Sequence, residues 1–128
     1  MKLLPVITIQ LCIFLSGCFA TGSAIVTGNV RPATDPATVK LYLEPPKEYE
    51  TIGLVEASNE LGWNDQELTD GAIAELKNQA AKLGANGVLL TGASKTTTTS
   101  VHGNDGYVYS ITDDTKHVKG KAIYVLQE

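Results

Sequence analysis

The chain has 128 residues, of which 43% are hydrophobic, 19% are charged and 6% are aromatic, and its formal net charge is −4 at pH 7. This length and hydrophobic content suffice for one domain with one core. An acidic chain without a basic patch is a poor match for nucleic acid or for an anionic lipid surface, so both classes of partner are disfavoured.

The first residues have the pattern of a signal peptide. Lys2 gives a positive start, residues 3–15 are mostly apolar, and the small residues Ser16 and Gly17 follow. A membrane-spanning helix needs about 20 apolar residues, which is more than this run provides. We therefore predict that residues 1–17 are a signal peptide and do not stay as a transmembrane anchor.

The residues Leu15, Ser16, Gly17 and Cys18 resemble a bacterial lipobox. The resemblance implies cleavage between Gly17 and Cys18 and acylation of Cys18, palmitate included. Several acyl chains, at about 0.8 kcal/mol per buried methylene, would hold the mature chain to a membrane. Phe19 stands where an aspartate would resemble an inner-membrane retention signal, so the implied destination in a Gram-negative cell is the outer membrane, facing the periplasm. An ordinary signal peptide that ends in Gly-Cys is the alternative.

Residues 18–37 are predicted to be the lipidated cysteine and a flexible tether, because this stretch is rich in Gly, Thr, Ala and Pro. Residues 23–30 hold enough β-branched side chains to add an edge strand, although Gly28 weakens this alternative. Cys12 leaves with the signal peptide and Cys18 takes the lipid, so no intramolecular disulfide is expected in the mature domain.

A single domain is predicted over residues 38–128, and it begins with two strands. Residues 39–43 alternate between apolar and polar side chains until Pro45 and Pro46 stop them. Residues 49–57 form the second predicted strand.

An amphipathic helix follows, with Asn64 as its N-cap and Glu67 as the other half of a capping box. Gly84 is placed to end the helix in a left-handed conformation. The apolar residues recur at helical spacing and are expected to face the core: Leu68, Ala72, Ile73, Leu76, Ala80 and Leu83. Trp63 is expected to lie in the core or to pack on Leu68 as a hydrophobic staple.

The rest of the chain is rich in strand-forming residues. Residues 88–90 follow the helix, and the size of the connection predicts a strand parallel to residues 49–57, reached by a right-handed crossover. Residues 122–126 are expected to pair beside residues 88–90. We therefore predict an α+β fold: a βαβ-containing mixed sheet of four to five strands, with one helix packed on one face and a protruding C-terminal β-hairpin.

Residues 95–116 form the predicted hairpin, whose turn is centred either on Asn104 and Asp105 or on Asp105 and Gly106. Both registers place the same three large side chains on one face: Tyr107, Tyr109 and Ile111. Exposed tyrosines bring a large contact area at low entropic cost and are enriched where proteins meet. This face is therefore the candidate site for an envelope protein partner or for self-association. Packing of the face against the protein's own sheet is the alternative.

Three segments carry a resemblance to a known family. The matching residues lie within 49–57, within 76–90, and at Gly120, Ala122 and Ile123. Together they are similar to small RcsF-like bacterial lipoproteins, and the turn from helix to strand also resembles YbjQ-like oligomeric domains. The resemblance implies the fold described above and, from the RcsF side, a role in sensing envelope stress. The RcsF domain is stapled by disulfides, whose cysteines this chain lacks.

Catalytic and metal-binding chemistry has little support in the sequence. His102 and His117 lie near Asp105, Asp113 and Asp114 in the chain but match no ligand spacing, so no metal site is predicted. No serine lies in a nucleophile elbow. We therefore expect a non-enzymatic binding or envelope-maintenance module without a cofactor. A YbjQ-like oligomer that holds a small ligand or metal is the second hypothesis, and an enzyme is a weaker third.

Overall fold

The computed structural model describes residues 20–60 and 62–128. Its elements in chain order are strand β1 (Ala20–Val26), a short 3-10 helix (Pro36–Thr38), strands β2 (Lys40–Tyr42) and β3 (Glu48–Asn59), helix α1 (Asp65–Lys82), and strands β4 (Gly87–Asn104) and β5 (Tyr107–Gln127). The strands form one five-stranded sheet in the order β1-β3-β5-β4-β2. β2 and β4 are parallel and the other neighbours are antiparallel. The predicted α+β class, with a mixed sheet and one helix, is confirmed.

The predicted signal peptide, its cleavage site and Cys18 lie outside the described residues. Within the described part of the chain, no helix is both long enough and apolar enough to cross a membrane.

Strands β3 and β4 run in the same direction, as the sequence predicts, but they are not neighbours. β5 lies between them and pairs antiparallel with both. The expected pairing of residues 122–126 with residues 88–90 is confirmed by the partners Val88 and Ala122. The βαβ unit is therefore a split one, since the strand that comes last in the chain fills the gap between the other two.

Helix α1 covers one face of the sheet through the apolar stripe that the sequence predicts. Its buried side chains meet those of the central strands in a single core, which includes Val55, Ala72, Leu76, Ala80, Val88, Val118 and Ala122. The helix ends as predicted, because Gly84 has a φ of +80° and the amide of Ala85 donates to the carbonyl of Ala80. The small buried side chains of Ala72, Ala80 and Ala81 let the helix axis lie close to the sheet.

The structure differs from the predicted tether over residues 20–37. β1 pairs with β3 from Ala20, opposite Asn59, to Val26, opposite Gly53. The chain then crosses the end of the helix, where the Arg31 amide donates to the Leu83 carbonyl over 3.0 Å. The small residues that suggest a linker are instead needed for close packing, since a Cβ added at Gly22 would lie 2.7 Å from Cγ of Gln79. The folded domain therefore includes residues 20–37.

Candidate binding arm

β4 and β5 continue as a two-stranded ribbon beyond the rest of the sheet. β3 accompanies β5 only as far as the pair of Asn59 and Lys116. From there β4 and β5 form nine further pairs, from Thr96 and Thr115 to Asn104 and Tyr107. We call residues 96–115 the arm. At about 3.3 Å per residue the arm is roughly 30 Å long.

The tip of the arm is a two-residue turn made by Asp105 and Gly106. Both residues have positive φ, of 46° and 86°, which is the signature of a type I′ turn. This turn fixes the register that the sequence left open between two alternatives. Its backbone twist matches the right-handed twist of the ribbon, so the two strands stay paired up to the tip.

One face of the arm, which we call the tyrosine face, carries the three predicted side chains Tyr107, Tyr109 and Ile111. All three are exposed, and Tyr107 keeps 79% of its surface accessible. The ring of His102, on the facing strand, stacks on Tyr109 with centroids 5.5 Å apart and planes 25° apart. The alternative that this face packs against the protein's own sheet is therefore wrong.

The opposite face of the arm, which we call the valine face, lies on the helix side of the sheet. Strand alternation places Val108 on the same side as Val118, which is buried in the helix-covered core. Val101 and Val108 are 69% and 77% exposed. The side chains that share this face are one carboxylate at the base of the arm, Asp114, and six uncharged residues: Thr97, Thr99, Val101, Val108, Ser110 and Thr112.

Polar contacts fix the base of the arm to the helix. Nζ of Lys95 donates to Oδ1 of Asp65, the first helical residue, over 3.0 Å, and lies 3.8 Å from Oδ2 of Asp114. The hydroxyl of Thr97 donates to Asp114 over 2.7 Å. The hydrogen bond to Asp65 and the charge of Asp114 raise the pKa of Lys95 above its usual value. These contacts link the base of the arm to the first turn of the helix.

Trp63 is 96% exposed at the same end of the molecule, so the prediction of a core or staple position is wrong. The backbone explains the difference. Gly62, not Trp63, lies against the helix, since a Cβ at Gly62 would be 2.8 Å from the Leu68 amide nitrogen. The capping box also differs from the predicted one: Asn64 accepts from the Glu67 amide, but Oε2 of Glu67 accepts from the Trp63 amide over 2.7 Å.

The two histidines are far apart. His102 pairs with Tyr109 on the arm, whereas His117 lies eight residues further along β5. Within the described residues, no group of three or more His, Cys, Asp or Glu side chains is arranged to hold a metal ion. Each histidine has a polar or aromatic neighbour of its own, and the two do not share a site.

His117 makes the contact that most resembles catalytic chemistry, since its Nδ1 lies 3.0 Å from Oγ of Ser58. These are the atoms of a nucleophile and a base. However, Ser58 lies inside a continuous ladder, with Thr21 as its partner on one side and His117 on the other. The backbone amides around it are used by the sheet, so this position offers no ready oxyanion hole. The contact is a cross-strand hydrogen bond between two half-buried side chains.

Concave surfaces near the helix are shallow. One groove of about 390 Å³ lies between the 3-10 helix and α1, where it is lined by Pro36, Ala37, Ile73, Ala74 and Lys77 among others. Small-molecule sites normally combine an enclosed apolar cavity with a few convergent polar groups. This groove is open to solvent rather than enclosed.

A second polar cluster lies at the end of the sheet that is opposite to the arm. Oε1 of Glu128 accepts from Nζ of Lys40 over 2.7 Å and from the hydroxyl of Tyr42 over 2.9 Å. The hydrogen bond from Lys40, followed by that from Tyr42, lowers the pKa of Glu128 below its usual value. The cluster ties β2 to the end of β5.

No protein-family model matches the chain. No curated protein matches it either. A crystal structure of the Francisella virulence factor FvfA is similar over 80% of this chain and 98% of that chain, with 19% sequence identity and a TM-score of 0.48.

Sequence reasoning found the tyrosine face but missed two other features of this end of the molecule. The link from Lys95 to Asp65 joins residues that are 30 positions apart, and no local pattern signals it. The exposure of Trp63 has a local signal in hindsight, because Gly62 allows the chain to approach the helix closely and leaves the next side chain pointing away.

Proposed function

We propose that this protein is a non-enzymatic binding module of the bacterial cell envelope, held to its membrane by lipid on Cys18. In a Gram-negative cell that membrane is the outer membrane, and the domain faces the periplasm. The proposal assigns the arm as the binding element. Its partner is an envelope protein or a second copy of the chain.

The observation that carries the proposal is the tyrosine face. Tyr107, Tyr109 and Ile111 form an exposed row on a ribbon that no other described element covers. Aromatic side chains of this kind are frequent anchors of protein interfaces, where one anchor can contribute about 2 kcal/mol or more. Their exposure costs hydrophobic free energy in the isolated domain, and a partner would recover it.

The contacts that Lys95 makes with Asp65 and Asp114 support the same proposal. A ribbon with a fixed direction presents its side chains in one orientation, which lowers the entropic cost of binding. The contacts of Lys95 with Asp65 and Asp114 supply that constraint at the base of the arm. The proposal does not depend on the resemblances to RcsF-like and YbjQ-like proteins, which stay predictions.

A photocrosslinking experiment in intact cells tests the proposal. A photoreactive phenylalanine analogue replaces Tyr109 in the lipidated protein, and the matched control carries it at Leu126, which is also exposed but lies at the opposite end of β5. Discrete crosslinked species are expected from position 109 and not from position 126. Equal crosslinking at the two positions would contradict the assignment of the arm as the binding element. Retention of radiolabelled palmitate after Cys18→Ser would contradict the proposed lipid anchor on Cys18.

A further inference from the structure

The first described residue lies at the same end of the sheet as the arm. Ala20 pairs with Asn59, Asn59 pairs with Lys116, and Lys116 pairs with Lys95. These four residues form one row across four strands, and this row is the last one before the arm begins. At about 4.8 Å per strand, Ala20 is roughly 14 Å from Lys95.

This geometry restricts where a lipid on Cys18 can enter the bilayer. Cys18 precedes Ala20 by two residues. Two extended residues span at most about 7 Å, so a lipid on Cys18 would keep Ala20, and with it the row at the base of the arm, close to the bilayer. This placement rests on the proposed lipid anchor. It holds the domain directly against its membrane instead of on a flexible tether.

We propose that the arm end of the domain faces the membrane, and that Trp63 and the valine face of the arm contact the lipid headgroup region. Trp63 lies at this end, since it borders a shallow pocket with Thr112 and Asp114 at the base of the arm. Tryptophan is enriched at the membrane interface, where its apolar ring and its polar N–H are both accommodated.

The composition of the valine face suits the same environment. Beyond Asp114 at its base, its side chains are uncharged, and its two valines are among the most exposed apolar side chains of the described chain. The arm does not cross the hydrocarbon core, because a two-stranded ribbon has unpaired backbone groups along both edges. It lies along the interface instead, and the tyrosine face on its other side stays free for a protein partner.

Charge indicates which lipids this surface meets. The pocket beside Trp63 is lined by Glu60, Asp65, Asp113 and Asp114, and the basic residues at the base of the arm are Lys95 and Lys116. Such a surface gains nothing from anionic headgroups, which attract clusters of Lys and Arg. The contact is therefore apolar and aromatic in nature, and it is suited to a zwitterionic headgroup layer.

The chain contains its own probe for this proposal, since Trp63 is its one tryptophan. The lipidated protein is reconstituted into phosphatidylethanolamine and phosphatidylcholine vesicles whose acyl chains are brominated close to the headgroup, and Trp63 fluorescence is measured. The matched control combines Trp63→Phe with Leu126→Trp, which moves the probe to the opposite end of β5. We expect quenching of Trp63 to be several-fold stronger than quenching in the control, and to weaken when Val101→Ser and Val108→Ser are introduced.

Flotation of the same vesicles separates failure of this inference from failure of the lipid anchor. Protein that floats with the vesicles but shows equal quenching at both probe positions overturns the membrane-facing orientation and leaves the anchor intact. Protein that carries no lipid and does not float overturns the anchor itself, and the orientation with it. An unquenched Trp63, together with protein crosslinks in cells from a photoreactive phenylalanine analogue at position 63, would assign this end to a protein partner. This result would also overturn the orientation.

Discussion

The ammonium group of Lys95 lies 3.0 Å from the carboxylate of Asp65 and thereby joins the strand that enters the arm to the first residue of the helix. Asp114, on the returning strand, lies 3.8 Å from the same ammonium group. One side chain thus connects both strands at the base of the arm to the helix layer.

The first prediction concerns the titration of Lys95. Its pKa is raised above 10.5, so its contribution to stability is complete below pH 10.5 and is lost as the pH rises through the raised pKa. A titration of the Lys95 side chain by NMR should give a midpoint above 10.5, and Asp65→Asn should lower that midpoint. Identical midpoints in the two proteins would mean that the hydrogen bond is not populated in solution.

The second prediction concerns the helix stripe. Leu76 is fully buried, so Leu76→Ala should lower the free energy of unfolding by about 2 to 5 kcal/mol through lost burial and a residual cavity. Denaturant unfolding measures the change. The control is Leu126→Ala at an exposed position, for which a change below about 0.5 kcal/mol is expected. Similar losses in both variants would contradict the packing of α1 on the sheet.

The third prediction tests whether β1 is part of the folded domain. A Cβ added at Gly53 would lie 2.5 Å from the carbonyl oxygen of Ile25 in β1, so Gly53→Ala should displace that strand and destabilise the domain by about 1 to 3 kcal/mol. Faster amide exchange in Ala20–Val26 should accompany the loss. Gly92→Ala is the matched control, because an added Cβ there meets nothing within 4 Å. Unchanged exchange in β1 would favour the flexible tether.

The sequence predicts most of the domain because local rules and tertiary packing agree there. The helix stripe through Leu76 and the stop at Gly84 each follow from residues that are close in the chain. The hairpin is predicted in the same way, but the sequence leaves two positions for its turn, which the structure places at Asp105 and Gly106. β1 is harder to predict, since its small residues are equally typical of a linker, and only the position of Gln79 across the fold explains Gly22. Composition alone cannot separate these two cases.

The candidate site also has features that the sequence predicts and features that it does not. The shared face of Tyr107 and Tyr109 follows from strand alternation, which the sequence contains. The position of Trp63 depends on the path of the chain through Gly62, and the position of β5 between β3 and β4 depends on the whole sheet. Neither relationship could be predicted from the periodicity of apolar residues.

The fourth prediction separates the two faces of the arm. Tyr107→Ala with Tyr109→Ala should abolish crosslinks to protein partners, with each ring contributing about 2 kcal/mol or more to an interface. The melting temperature should change little, because both rings are exposed. Val101→Ala with Val108→Ala is the matched control on the opposite face of the same ribbon, and it should keep the crosslinks. A large drop in melting temperature with every crosslink retained would place the tyrosines in a structural role.

The fifth prediction concerns the cluster at the far end of the sheet. Hydrogen bonds from Lys40 and then from Tyr42 lower the pKa of Glu128, so its contribution to stability is present above pH 4.5 and is lost as the pH falls through the lowered pKa. A carboxyl titration by NMR should give a midpoint below 4.5 for Glu128, and Lys40→Met should raise it. A midpoint that does not respond to Lys40→Met would contradict this contact.

The central place of β5 has a consequence for the order in which the domain can be assembled. β3 and β4 precede β5 in the chain, yet only β5 joins the pair of β1 and β3 to the pair of β4 and β2 in one sheet. While the chain is being synthesised, the helix can form and pack on β1 and β3, and β4 can pair with the three-residue strand β2. The two strand pairs cannot join in one sheet until residues 116–127 have emerged. Such late, long-range pairing slows folding and leaves strand edges open in the meantime. A ribosome that stalls before this segment would therefore release a chain with an exposed Val88 and Leu89 edge, which is a target for chaperones and proteases rather than a shortened but working domain.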